Sequence, residues 1–243
     1  MGFRSQLPPY LASEPPTAIA QLTCFTSLLA PAQSTLRLWW AFRANTWRSL
    51  SIVDSELEIL ASGTEAERES AAERLMAGDG PAVAGLVRIL ASGDSDARWW
   101  AARTLAGIPG AEATQALVAT LQDPDEDVRV CAVMGLGERR ESDAAIMGAL
   151  LAELRRSGAY VGRHVADALS KIGEPAVSGL IAALEEPVPA IRALAARALV
   201  RIESRQSIPA LIKALDDPEA AVEHYAWEAL QRMGVGVTVF FRP

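Results

Sequence analysis

A repeat of about thirty residues constrains this chain more than any other feature. Leu75, Leu105, Leu136, Leu169, Leu199 and Leu230 follow one another at spacings of 30, 31, 33, 30 and 31. Eight positions before each stand Glu67, Ala97, Val128, Val161, Ile191 and Val222. Four before stand Ala71, Ala101, Ala132, Val165, Ala195 and Ala226. Offsets of eight, four and zero share one helical face, so the pattern predicts a helix with a buried stripe of small residues. A second apolar series precedes it: Leu86-Val87-Leu90, Leu117-Val118-Leu121, Leu150-Leu151-Leu154, Leu180-Ile181-Leu184 and Leu211-Ile212-Leu215. The first unit keeps only Leu57 and Leu60 of that trio, with Glu56 in the other place. The identical ILASG at Ile59–Gly63 and Ile89–Gly93 sets the register.

Each unit therefore reads as two short helices. Asp123-Pro124, Glu186-Pro187 and Asp217-Pro218 are expected to open the second helix, with the acid as N-cap and the proline at the first helical position. Gly137, Gly173 and Gly234 are expected to close it. One unit has too little apolar surface for a core of its own. Stacked units bury a continuous one, so the expected class is all-α, an α-solenoid.

The stretch DPDEDVRVCAVMGLGE at 123–138 has copies in DSDARWWAARTLAGI, EPVPAIRALAARALVRI and DPEAAVEHYAWEAL. These resemble HEAT-like repeats of the short kind found in phycobilisome lyase subunits. The period is too short for tetratricopeptide repeats, and the ankyrin T-P-L-H pattern is absent. The resemblance covers about Ile52 to Gly234. It implies a right-handed α-α superhelix of about six two-helix repeats, near 52–79, 80–109, 110–140, 141–173, 174–204 and 205–234. It also implies binding and scaffolding more often than catalysis.

Residues 1–51 then form an N-terminal extension and 235–243 a C-terminal tail. Within the extension, Ser34–Leu50 holds Leu36, Trp39, Trp40, Phe42 and Trp47 among Arg37, Arg43 and Arg48. Three readings stay open: an amphipathic basic helix on a membrane or partner, a cap on the array, or a mis-assigned start that places residues 1–51 outside the native protein. Ala30-Pro31-Ala32 looks like a leader cleavage site, but Glu14 and the single preceding Arg4 argue against a secretory leader. The tail, VGVTVFFRP, is expected either to cover the last repeat or to fray.

Charge narrows the partner. The chain carries −7 formally. Its first fifty residues hold four Arg and one Glu, +3, which leaves −10 on residues 51–243. Nucleic-acid affinity comes largely from phosphate neutralisation, so an acidic array points to another protein as partner and not to nucleic acid. Cys24 and Cys131 make no disulfide framework, which suits a reducing compartment such as the cytoplasm. No apolar run reaches the length of a membrane span.

Two sets of side chains stand out on the second helices. Arg68, Arg98, Arg129 and Arg192 recur seven positions before the anchor leucine, where Gly162 and Glu223 fill the other two slots. A structural ladder is expected, each arginine reaching an acidic turn residue of the next repeat, with Asp94, Asp96, Asp125 and Asp127 as acceptors. A bidentate pair would explain arginine over lysine. The unit between Leu136 and Leu169 departs, with its longer spacing, its Gly162 and its turn Arg156-Ser157-Gly158, and marks a change of curvature or a kink that shapes a site.

The second set lies six, five and two positions before the anchor, away from the buried stripe. The resemblance puts those helices on the concave face. The expected partner-binding residues are Trp99, Trp100, Arg103, Val130, Met134, Arg163, His164, Leu194, Arg197, His224 and Tyr225. Exposed aromatics in line are unusual unless something covers them, and Trp, Tyr and Arg dominate binding hot spots. The alternative is that the Trp pair packs against helix ends or the N-terminal segment.

No catalytic or metal constellation emerges. His164 and His224 sit two repeats apart, about 20 Å at roughly 10 Å per stacked helix layer, too far to share a metal. The His-Glu pairs of the HEAT-like deoxyhypusine hydroxylases are missing: His164 precedes Val165 and His224 precedes Tyr225. There is no G-x-S-x-G, P-loop or dinucleotide fingerprint. Cys131 is expected as a small groove or core residue rather than a nucleophile. The reading is a non-catalytic protein-binding scaffold with no cofactor. The resemblance keeps open a bilin-lyase-like or chaperone-like accessory subunit, and the 34–50 stretch a membrane-associated adaptor.

Overall fold

Two kinds of helix alternate in the computed structural model, which describes residues 52–78, 82–139 and 143–235, all within the unit Ser49–Pro243. The first kind comprises α1 (52–62), α3 (Ala82–Ser92), α5 (Ala111–Thr120), α7 (Ala144–Arg156), α9 (Val177–Ala183) and α11 (Ile208–Ala214). The second comprises α2 (Glu65–Ala77), α4 (Ser95–Gly107), α6 (Glu126–Arg139), α8 (Ala159–Ile172), α10 (Pro189–Ile202) and α12 (Ala220–Arg232). From α3/α4 onward, helices of successive pairs pack on one another, and the second helices also pack on the second helices either side. The fold is an α-solenoid, with no strand among the described residues. The basic stretch 34–50 and the tail beyond Val235 lie outside the described residues.

The periodic residues form the core. The anchor leucines are buried, and Ala71, Ala101, Ala132, Val165, Ala195 and Ala226 are sealed beneath them. Glu67, the odd member of the stripe, is exposed. Its carboxylate accepts from the Thr64 backbone N–H at 2.9 Å in a capping box at the start of α2. That hydrogen bond holds the Glu67 carboxyl below its ordinary pKa. Three positions before each anchor, Ala72, Ala102, Val133, Ala166 and Ala196 are buried in the stack. In α12 the same slot carries Trp227, which is 38% exposed.

Two local expectations change. Gly137 does not end a helix; it lies inside α6, where a Cβ would stand 2.8 Å from the Ala168 backbone of α8. Gly135 does the same toward Ala106 of α4, so the two glycines let α6 sit close between its neighbours. Gly173 and Gly234, at φ +85° and +72°, follow α8 and α12 in the left-handed region that glycine accepts.

The second correction concerns Asp-Pro. The helices start two residues later, α6 at Glu126 and α12 at Ala220, and Asp125 accepts the Asp127 N–H at 2.9 Å at the head of α6. Likewise, Glu186-Pro187 precedes the start of α10, where Val188 is the N-cap and Pro189 the first helical residue. Asp123 and Asp217 instead brace the turn, accepting from the backbone N–H of Asp125 and Glu219, both at 2.9 Å. Their carboxylates also receive the arginines of the preceding repeat.

Candidate partner-binding groove

The arginines tie each repeat to the next, with acceptors the sequence did not single out. Arg98 meets Asp123 in a bidentate pair at 2.8 and 3.0 Å and donates to the Gly93 carbonyl at 3.0 Å. Arg192 repeats the arrangement on Asp217 at 2.8 and 2.8 Å, with the Glu186 carbonyl at 3.0 Å. Each carboxylate raises its arginine above the ordinary pKa, and Arg192 lowers that of Asp217. None of Asp94, Asp96, Asp125 or Asp127 serves as acceptor for Arg98 or Arg129, because the first acid of each turn lies nearer the preceding helix. Asp94 instead caps α4, accepting from the Ala97 N–H at 2.8 Å.

The other rungs are improvised. Arg129 reaches Glu153 of α7 at 3.1 Å. The turn after α7 holds no acid, so the buried Glu153 takes that place and also receives Arg156 and Ser157. Gly162 has no side chain to offer Glu186; Arg155 supplies it from α7 at 2.5 Å. Arg68 makes the loosest rung, 4.0 Å from Asp96, because Ser92 stands where Asp123, Glu186 and Asp217 stand in three of the later turns.

Of the predicted surface, Trp99, Arg103, Val130, Met134 and His164 come together. They line a depression of about 470 Å³ across α4, α6 and α8, joined by Asp127, Cys131 and Tyr160. Met134 is 49% exposed and Tyr160 43%. Arg103 lies over the indoles of Trp99 and Trp100 at 5.8 and 4.8 Å and bonds Glu69 at 3.2 Å. An adjoining depression between α2 and α4 is lined by Glu65, Glu69, Asp96 and both indoles.

Trp100 and Val130 are not solvent-facing as expected. Both are 7% exposed and belong to the core. A second helix touches its own first helix and two flanking second helices, so only a narrow strip stays open. Trp100 turns into the seam with α2, its ring perpendicular to Trp99 at 5.1 Å. Leu194 is half-buried, its methyl 2.7 Å from where a Cβ of Gly162 would be. Arg163 is exposed and accepts from Arg197 only through its carbonyl. Arg197 is held by Asp167 at 3.0 Å. His224 is exposed beside the half-buried Tyr225, their rings 5.6 Å apart. Arg163, Leu194, Arg197, His224 and Tyr225 thus stand outside the depression around Met134.

Sequence reasoning missed Tyr160 and Asp127 as groove residues. Tyr160 donates to Asp127 across the repeat boundary at 3.0 Å and packs edge-on against His164 at 5.4 Å. The bond to Asp127 raises the tyrosine pKa. The signal was there: Asp96, Asp127 and Tyr160 share the slot nine residues before the anchor. Burial pushes the Cys131 thiol up to about 12, which keeps it protonated and unreactive. Among the described residues no three His, Cys, Asp or Glu side chains cluster as a metal site, and no helix is long and apolar enough to cross a membrane.

The alpha subunit of phycocyanobilin lyase from Nostoc sp. is 38% identical over 107 residues, 41% of this chain and 39% of the relative. The match therefore spans well under two thirds of that protein. Among solved structures, the complex of CpcE and CpcF of phycocyanin lyase from Nostoc sp. PCC7120 is 24% identical, covers 75% of this chain and 77% of that one, and superposes with a TM-score of 0.46. An engineered protein, also 24% identical, covers 75% of this chain and 96% of its own at a TM-score of 0.44. The model of HEAT repeats matches at residues 83–154, 118–186 and 177–238, and the chain belongs to the HEAT-repeat family.

Proposed function

We propose that the array is a non-catalytic scaffold that holds a partner protein on the face of its second helices, centred on α4, α6 and α8. The observation that carries this reading is the depression around Met134. An exposed methionine and tyrosine flank a half-buried tryptophan there, and side chains of this kind stay open to solvent when a partner covers them. Met134 and Trp99 are the anchors, Tyr160 and His164 one wall, and Arg103 the polar edge. Trp100 and Val130 support the groove from within. The cytoplasm is the compartment this reading assigns, in keeping with the unpaired thiol of Cys131.

The test is affinity capture from the native host followed by mass spectrometry, with Met134→Glu and Trp99→Ala beside the unaltered chain. Both variants should lose the partner while keeping normal helicity by circular dichroism. Full recovery of the same partner by both would refute the site.

A second reading is an accessory subunit of a lyase-type complex, favoured by the 38% identical lyase subunit. Copurification of a bilin, seen as a visible absorbance band or zinc-induced fluorescence, would move the assignment there.

A further inference from the structure

The groove proposed above as a docking site also carries a charge pattern that selects its occupant. Its apolar floor is set by Trp99 and Met134. Its one internal cation, Arg103, is already stacked on two indoles and bonded to Glu69. Two carboxylates are held less closely: Asp127 lines the groove and Asp96 lines the adjoining depression that shares Trp99. Asp96 is 83% exposed and its nearest guanidinium stands 4.0 Å away. Asp127 accepts only a neutral phenol, and among the described residues no Lys or Arg nitrogen pairs with it. These acids occupy the same slot in consecutive repeats, so they stand in register on either side of Trp99. Residues 51–243 carry −10, a net charge that attracts a cationic partner and repels an anionic one.

We infer that the occupant is a basic, apolar segment of the partner protein: an aliphatic side chain enters between Trp99 and Met134, and flanking lysine or arginine side chains meet Asp96 and Asp127. The inference rests on the scaffold reading and names the partner chemistry for the same site. A partner surface rich in carboxylates would face Asp96, exposed and only loosely paired with Arg68, and Asp127, held by a neutral phenol, and would meet an occupied arginine in the groove.

Fluorescence anisotropy on the full chain tests it with three labelled dodecapeptides. One contains leucine, glycine and lysine; the others carry glutamine or glutamate in place of every lysine. The lysine peptide should bind about fivefold or more tighter than the glutamine one at low ionic strength, and the glutamate peptide weakest. The preference should shrink with added salt. Asp96→Asn with Asp127→Asn should remove most of it, whereas Glu58→Gln and Glu112→Gln on exposed first-helix positions should leave it unchanged. Equal binding of the three peptides, or an equal loss from the first-helix variants, overturns the inference. If Met134→Glu abolishes partner capture while the peptides show no charge preference, the scaffold stands and the basic occupant falls. If the lysine preference holds but Met134→Glu leaves partner capture intact, the scaffold site falls.

Discussion

Nine residues before the anchor leucine, α4 and α6 carry Asp96 and Asp127 and α8 carries Tyr160; α10 and α12 carry Ala190 and Ala221. Two residues before it, α6 exposes Met134, whereas α10 carries Arg197, which is bound to Asp167. Arg201 reaches the same Asp167 at 2.6 Å, and Leu194 fills the gap over Gly162. One helical template thus presents two different strips. Toward α4 it leaves acids loosely paired and apolar groups open; toward α10 it pairs Asp167 closely and fills the gap over Gly162. Buried slots hold the stack together at both ends, and the open slots decide which end has anything left to offer a partner.

The adjacent indoles give the sharpest test of that division. Trp100→Ala should cost about 3–5 kcal/mol of stability, the range for truncating a core aromatic, read from urea unfolding. Trp99→Ala should cost about 1 kcal/mol of stability but weaken the partner by about 2 kcal/mol or more, as a hot-spot residue does. Tyr225→Ala at the far end should leave partner affinity within roughly twofold. If Tyr225→Ala weakens binding as much as Trp99→Ala, the two ends do not differ in function.

The ladder should be indifferent to the same division. Arg98→Ala and Arg192→Ala each strand an aspartate that has lost a bidentate partner; the first should cost about 2–3 kcal/mol, and the second should lower the unfolding midpoint in the same direction. Arg155→Ala removes a rung whose arginine is 40% exposed, and should cost less than about 1 kcal/mol. Unfolding midpoints of the three variants check this. A much larger loss from Arg98 than from Arg192 would mean that the open end is also the weaker part of the stack.

The two strips differ in how far the sequence announced them. The α-solenoid was legible because burial repeats: the anchor leucines and the small stripe sit where a period near thirty and a helical offset of four put them. The open strip was only partly legible. Trp99 and Trp100 are chemically identical neighbours, and which one enters the seam depends on how close α2 comes, which no single repeat encodes. Asp123 was read as a helix cap because Asp-Pro is a common helix start; it became an acceptor because Arg98 of the previous repeat reaches it. Glu153 and Arg155 substitute for absent turn acids and for Gly162 from a different helix, so a repeat-by-repeat alignment cannot pair them. Tyr160 escaped because its slot lies outside the three offsets taken as exposed.

The smallest effect is confined to acid and concerns the closed end. Arg192 holds the Asp217 carboxyl below its ordinary range, while in the unfolded chain it titrates near about 3.9. Between the folded and unfolded values the unfolded chain holds a proton that the folded one lacks, so stability rises with pH there. The contribution is complete above the unfolded value and is lost as pH falls through the folded one. Asp217→Asn removes that titration, so the variant should be less stable than the parent near neutrality and should lose less on acidification. Denaturant midpoints from about pH 6 to about pH 2 would show the two curves converging. Parallel curves would mean that Asp217 titrates alike in both states and that its pair with Arg192 adds little to the rigidity of the closed end.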